Sequence, residues 1–233
     1  IGKASLEAID KILAEHPLPK TESPRQPQSY DIQLEHVSFA YDENAEKALD
    51  DVSLTVRQGT VTALVGESGG GKSTIANLIA RFWDVQEGTV NIGGVDVCDM
   101  DYGEWMKRVS IVFQDTSLFK MSILENVATF CPDATREEIL RALHLAQCDD
   151  ILEKLPDGVD TVIGTKGIYL SGGEMQRIAL ARAILKDAPV ILLDEATAFA
   201  DAENEYLIQK ALDELLRGKT VLMIAHRLST ILH

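Results

Sequence analysis

Gly66-Glu67-Ser68-Gly69-Gly70-Gly71-Lys72-Ser73-Thr74 follows the apolar, β-branched run Val61-Thr62-Ala63-Leu64-Val65 and precedes Ile75-Ala76-Asn77-Leu78-Ile79-Ala80, a helix-like segment. Glycine, four residues, then Gly-Lys-Ser between a strand and a helix is the phosphate-loop pattern. The alternative is a glycine-rich turn with an incidental lysine, and the agreement of spacing with both flanks weighs against it. Glycines at 66, 69, 70 and 71 let the backbone turn sharply and present N–H groups as an anion nest. The helix beginning near Lys72 aims the positive end of its dipole at the same place. Gly66, Ser68, Gly69, Gly71 and Thr74 are therefore expected to line a triphosphate. Lys72 is expected to reach its β- and γ-phosphates, and the Ser73 hydroxyl to ligate Mg²⁺.

A second stretch points from nucleotide binding to hydrolysis. Val190-Ile191-Leu192-Leu193 is a continuous apolar run, the pattern of a strand buried on both faces, and it ends in Asp194-Glu195. At the carboxyl end of such a strand Asp194 is placed to hold Mg²⁺ through water, and Glu195 to polarise an attacking water. Either acid alone is often only a solvated strand end, and the pairing with a phosphate loop gives them a role.

The chain has 233 residues, room for one substantial core with an appendage or for two small domains. Lys and Arg total 22 against 37 Asp and Glu, a formal net charge of −15 that disfavours a sequence-independent grip on nucleic acid. No apolar run approaches the ~20 residues that span a bilayer. Cys98, Cys131 and Cys148 are odd in number and lack Cys-x-x-Cys spacing, so buried or indifferent thiols are expected. A chain that starts with Ile1 and stops at His233 is expected to be a segment of something longer.

Ile1, Ala4, Ala8, Ile9, Ile12 and Leu13 fall at helical spacing, so residues 1–15 are expected to form an amphipathic helix that ends before Pro17. Residues 16–29 hold Pro17, Pro19, Pro24 and Pro27 among polar residues, the composition of an extended linker. From Asp31 the alternation of Ile32, Leu34, Val37 and Phe39, then of Val52, Leu54 and Val56, predicts strands joined through a turn at Tyr41–Asn44. Gly88–Ile92 and Val95–Val97 flank Gly93-Gly94 like a hairpin, and Val109–Phe113 predicts a buried strand. Ser122 with Glu125, and Thr135 with Glu138, have capping-box spacing and open a helical region that runs to about Leu155. Pro156–Tyr169 is expected to be loop. Helices over Gly172–Lys186 and Glu203–Arg217 and a strand over Thr220–Ala225 complete the pattern.

Leu170-Ser171-Gly172-Gly173-Glu174 places a serine and two glycines at a helix start, a second candidate anion site. It resembles the signature sequence of ABC (ATP-binding cassette) ATPases, and the resemblance extends over almost the whole chain. It implies an α/β P-loop NTPase fold with a mainly parallel core sheet, an antiparallel β subdomain and an α-helical subdomain at about 115–171. The ATPase domain would cover 30–233 and be C-terminally truncated. Further roles come from the resemblance alone. Tyr41 matches the aromatic that stacks on adenine, and Gln114 the glutamine that touches Mg²⁺ and the attacking water. Asp201 matches the aspartate of the dimer-contact loop, and His226 the histidine that contacts the γ-phosphate and catalytic water.

The resemblance also implies partners. Two such domains, as homo- or heterodimer, meet head to tail, so that Ser171 and Gly173 of one cover the nucleotide bound to the other. The order of motifs is similar to the exporter type of ABC transporter. Helix 1–15 is then the tail of a transmembrane domain of the same polypeptide, at the cytoplasmic face of a membrane, and a bacterial inner membrane is implied. Ala196-Thr197-Ala198-Phe199-Ala200-Asp201 is similar to a bacterial siderophore-transporter group. Two departures stand out: Thr165-Lys166 where the family usually has a glutamate after Gly164, and Ala198-Phe199-Ala200 where Ser-Ala-Leu is common. Alternatives from other classes are an ATP-binding ABC domain with weak hydrolysis and a soluble, non-transport ABC ATPase. A GTPase is disfavoured, since no Asn-Lys-x-Asp motif occurs.

Overall fold

A computed structural model describes residues 17–42, 45–113, 116–164, 168–194 and 202–225. Among these residues eight strands fall into two sheets. The antiparallel sheet has the order β2-β1-β4-β5, built from β1 (Ile32–Phe39), β2 (Leu49–Val56), β4 (Glu87–Ile92) and β5 (Val95–Asp96). The second sheet is parallel throughout, in the order β3-β8-β7-β6, from β3 (Val61–Val65), β6 (Val109–Val112), β7 (Val190–Asp194) and β8 (Thr220–Ala225). The helices expected within the described residues are present: α1 (Lys72–Ile79) after the phosphate loop, α3 (Ile123–Ala128), α4 (Arg136–Leu145) and α5 (Asp149–Lys154) in the helical region, then α6 (Gly172–Lys186) and α7 (Ala202–Leu216). Both capping boxes form, Ser122 with Glu125 and Thr135 with Glu138.

The parallel sheet separates two cores, and the period-2 alternation of its strands does the separating. Val190 and Leu192, with Leu222 and Ile224, join the core shared with α1 and the antiparallel sheet. Their neighbours Ile191, Leu193 and Val221 join the core formed with α3 to α7. Burial on both faces is why β7 is a run of unbroken aliphatics.

A short helix, α2 (Tyr102–Arg108), also forms. Its Trp105 is fully buried and donates its indole N–H to the carbonyl of Ile79 at 2.9 Å. That carbonyl lies in the last turn of α1, where no intrahelical donor remains for it. Residues 17–29 carry no helix or strand and lie along the antiparallel layer. The backbone N–H groups of Arg25 and Gln28 donate to Asp99 and Gly93, and the buried Arg81 guanidinium donates to the Pro19 carbonyl at 2.8 Å. Among the described residues no helix is long and apolar enough to cross a membrane. The expected helix 1–15, the Thr165-Lys166 departure and everything from His226 onward lie outside the described residues.

Candidate functional site

The carboxyl ends of β3 and β7, on either side of β8, converge on the loop Gly66–Gly71. Helix α1 begins at Gly71 with a left-handed φ of 76°, no side chain capping it and no acid in its first turn. Its first N–H groups lack intrahelical partners by geometry, so they and the dipole face the loop. A Cβ on Gly71 would stand 2.5 Å from the Ala48 carbonyl oxygen and 2.6 Å from a Leu49 methyl, so the loop is pressed against the start of β2.

Lys72 is only 8% exposed, and its ammonium donates to the carbonyls of Gly66 at 3.0 Å and Glu67 at 2.6 Å. The cation is thus folded across the mouth of the loop. Ser73, the next residue, donates its hydroxyl to an Asp194 carboxylate oxygen at 3.2 Å, a contact between residues 121 positions apart. Among the described residues no three His, Cys, Asp or Glu side chains converge on one point. Among those residues the candidate cation site holds the Ser73 hydroxyl beside the Asp194 carboxylate, hard oxygen donors that suit Mg²⁺ and leave other positions to phosphate and water.

Tyr41 stands two residues beyond β1 with its hydroxyl 3.0 Å from Thr74 Oγ1, and Asn77 Nδ2 donates to the same hydroxyl at 3.4 Å. Two positions beyond the Lys72 ammonium carrier, Thr74 thus ties the aromatic to the phosphate loop. The backbone just before Tyr41 is fixed by Gln86, whose amide accepts from the Ala40 N–H and donates to the Ala40 carbonyl, both at 2.7 Å. Trp83 leans on the Tyr41 ring edge-to-face at 5.5 Å. Neither Gln86 nor Trp83 belongs to the phosphate-loop pattern. The one sign in the sequence is an aromatic close behind the phosphate-loop helix.

The second glycine-rich stretch opens α6. Ser171 Oγ accepts the Glu174 N–H at 3.2 Å, and the Glu174 carboxylate accepts the Ser171 N–H at 2.8 Å, a complete capping box. Glu174 also faces the Lys154 ammonium at 3.6 Å. Gly173 packs so closely on Asn204 of α7 that a Cβ there would meet its side chain at 2.6 Å. One turn on, the buried Arg177 binds both carboxylate oxygens of Asp150, at 2.7 and 3.0 Å. Thr116, just after Gln114, donates its hydroxyl to Gln176. The thiols take no part in this chemistry: burial pushes both Cys98 and Cys148 up to about 12, so they stay protonated at neutral pH.

The structure therefore brings Gly66–Thr74, Tyr41 and Asp194 together, and sets Ser171 and Gly173 at the start of α6. Gln114, Glu195, Asp201 and His226 lie outside the described residues. Residues 49–198 match the model of a family described as ABC transporter. The chain belongs to the ABC transporter family.

Within this family the chain is 49% identical over 234 residues to the mycobactin import ATP-binding/permease protein IrtA of Mycobacterium tuberculosis, which covers 99% of this chain and 27% of that protein. It is 45% identical over 203 residues to an ATP-dependent lipid A-core flippase of Legionella pneumophila, over 87% of this chain and 34% of that protein. A solved structure of a bacterial Atm1-family ABC exporter with ATP bound superposes with a TM-score of 0.86 at 35% identity, over 99% of this chain and 41% of that one. The chain thus spans about a quarter to a third of the length of these curated relatives. It carries the family's ATP-binding ATPase fold, with the antiparallel and parallel sheets described above.

Proposed function

We propose that this chain is the motor of an exporter-type ABC transporter, which binds and hydrolyses Mg·ATP and closes head to tail on a second ABC ATPase domain. The contact of Ser73 with Asp194 at the mouth of an uncapped helix carries the reading. Two sequence-distant oxygen donors beside a bare helix N-terminus suit a cation and the phosphates it accompanies. Ser73 would hold Mg²⁺ directly and Asp194 through water, and the ion would supply charge neutralisation at the phosphates. Lys72 exchanges its contacts with the Gly66 and Glu67 carbonyls for the β- and γ-phosphate oxygens. Tyr41, held by Thr74 and Asn77, offers its ring to adenine.

The remaining roles rest on the family resemblance: Glu195 aligns the attacking water, Gln114 and His226 approach the γ-phosphate, and Asp201 lies at the dimer contact. Ser171 and Gly173 of one domain cover the nucleotide of its partner. A triphosphate touching both domains stabilises only the closed state, and its cleavage releases them. Residues 1–15 are the tail of a transmembrane domain of the same polypeptide, 16–29 the linker and about 115–171 the helical subdomain, at the cytoplasmic face of a membrane. The relatives' named cargoes, mycobactin and lipid A-core, differ, so the proposal concerns the motor and leaves cargo aside. In the full-length protein Glu195→Gln is expected to keep Mg·ATP binding, lose steady-state hydrolysis by a factor of about 100 or more and accumulate an ATP-bound dimer. Turnover that survives this change would refute the role given to Glu195.

A further inference from the structure

We infer that Trp83 is a positioning residue for base recognition: it fixes the Tyr41 ring against which the nucleotide base stacks. The inference rests on the adenine role proposed for Tyr41. Trp83 is 45% exposed and Tyr41 46%, so neither ring is a core residue whose place is explained by burial. The two meet edge-to-face with centroids 5.5 Å apart and planes at 87°. Phe39, which is buried, meets Tyr41 at 4.9 Å and 87° and Trp83 at 6.1 Å and 61°, so the three rings close a triangle. Edge-to-face packing of this kind is directional and holds ring orientation as well as ring position.

The rest of the local structure serves the same end. Gln86, three residues after Trp83, clamps the backbone of Ala40 by two hydrogen bonds, and Thr74 and Asn77 fix the Tyr41 hydroxyl. With hydroxyl, backbone and ring orientation all held, Tyr41 meets a base as a preformed surface, and little freedom is lost on binding. Removing Trp83 frees the ring while leaving the phosphate loop and its lysine untouched. The consequence is selective: a ligand with a base feels the loss, and a bare triphosphate does not.

The test compares Mg·ATP and Mg·tripolyphosphate binding to the full-length protein and its Trp83→Ala, Trp83→Phe and Tyr41→Ala variants and the double alanine variant. Trp83→Ala is expected to weaken ATP about 3- to 10-fold and leave tripolyphosphate unchanged, and Trp83→Phe to recover most of the loss. The double variant is expected to bind ATP no more weakly than Tyr41→Ala, because Trp83 acts through that ring. Equal weakening of ATP and tripolyphosphate by Trp83→Ala would overturn the inference and make the tryptophan a support of the phosphate loop. Normal ATP affinity in Trp83→Ala, beside a loss in Tyr41→Ala, would overturn it and leave the Tyr41 role standing. Normal affinity in Tyr41→Ala would overturn both. Tryptophan emission supplies a readout that needs no alanine variant to fold. Trp105, the chain's other tryptophan, is fully buried, so an emission change with ATP but not tripolyphosphate, lost in Trp83→Phe, is the expected signature.

Discussion

Two glycine-rich stretches each open a helix in this molecule, and they leave their first turns in opposite states. Helix α1 starts at Gly71 in a left-handed conformation, uncapped and without an acid in its first turn. Helix α6 starts at Ser171 inside a closed capping box, with the Glu174 charge already at its positive end. The first start is open to an anion, and among the described residues it is the Lys72 ammonium that must move aside. The second is already met by its own residues: Ser171 Oγ accepts the Glu174 N–H, and only its O–H proton is left to donate to a phosphate oxygen. One jaw of the proposed clamp offers bare N–H groups once Lys72 turns to the phosphates, and the other offers a capped helix start with its serine hydroxyl proton.

The largest expected effect separates the glycines. Gly71→Ala forces a left-handed φ of 76° on an L side chain and drives its Cβ into the Ala48 carbonyl and Leu49. Strain and clash together are expected to destabilise the chain by about 2–4 kcal/mol and to abolish ATP binding. Gly172→Ala meets nothing within 4 Å at a residue without a left-handed φ, and its thermal stability is expected to stay within about 0.5 kcal/mol of wild type. Thermal denaturation of both variants checks the pair, and equal tolerance would erase the distinction drawn between the two starts.

Ser171→Ala is a smaller break. It removes the capping hydroxyl and is expected to cost about 1 kcal/mol in a denaturant titration. No side-chain cap exists to be lost at α1. Glu174→Gln sharpens the same point, since glutamine keeps the reciprocal box while removing the charge, and a loss of only a few tenths of a kcal/mol is expected.

Much of this was legible because it is local. The phosphate loop, the alternation of β1 and β2, and the boxes Ser122–Glu125 and Thr135–Glu138 are encoded within a few residues and appear as their spacing predicts. The strand order β3-β8-β7-β6 was not legible, since neighbours in that sheet are far apart in the chain. The meeting of Ser73 and Asp194, expected from the Mg²⁺ given to both, is brought about by that order. Helix α2 escaped for a related reason: it is short, and its anchor is a hydrogen bond from Trp105 to a carbonyl of another helix. Trp83 and Gln86 take their meaning from contacts with β1, more than forty positions away in the case of Gln86 and Ala40.

The smallest expected effect lies in the pH dependence of the two helix starts. Burial of Asp150 works to raise its pKa, but its hydrogen bonds to Arg177, that residue's positive charge and the nearby Lys154 outweigh it and hold the carboxyl below the ordinary value of 3.8. A carboxyl lowered on folding contributes stability that is present above its unfolded value and lost as the pH falls through its folded one. Between pH 8 and pH 5 the pair should therefore contribute a constant amount, and the loss should begin only below about 4. Arg177 sits in the second turn of α6, so acid should loosen that helix start through the loss of the ion pair between the buried Arg177 and the part-exposed Asp150. α1 has no acid in its first turn to lose. Hydrogen exchange read at decreasing pH is expected to show protection falling in the first two turns of α6 before it falls in α1, after correction for intrinsic exchange rates. Asp150→Asn should remove the difference, because its side chain carries no charge to titrate. If the two helix starts lose protection together in the unsubstituted protein, the capped start is not held by its charges, and its contrast with the open one reduces to the box of Ser171 and Glu174.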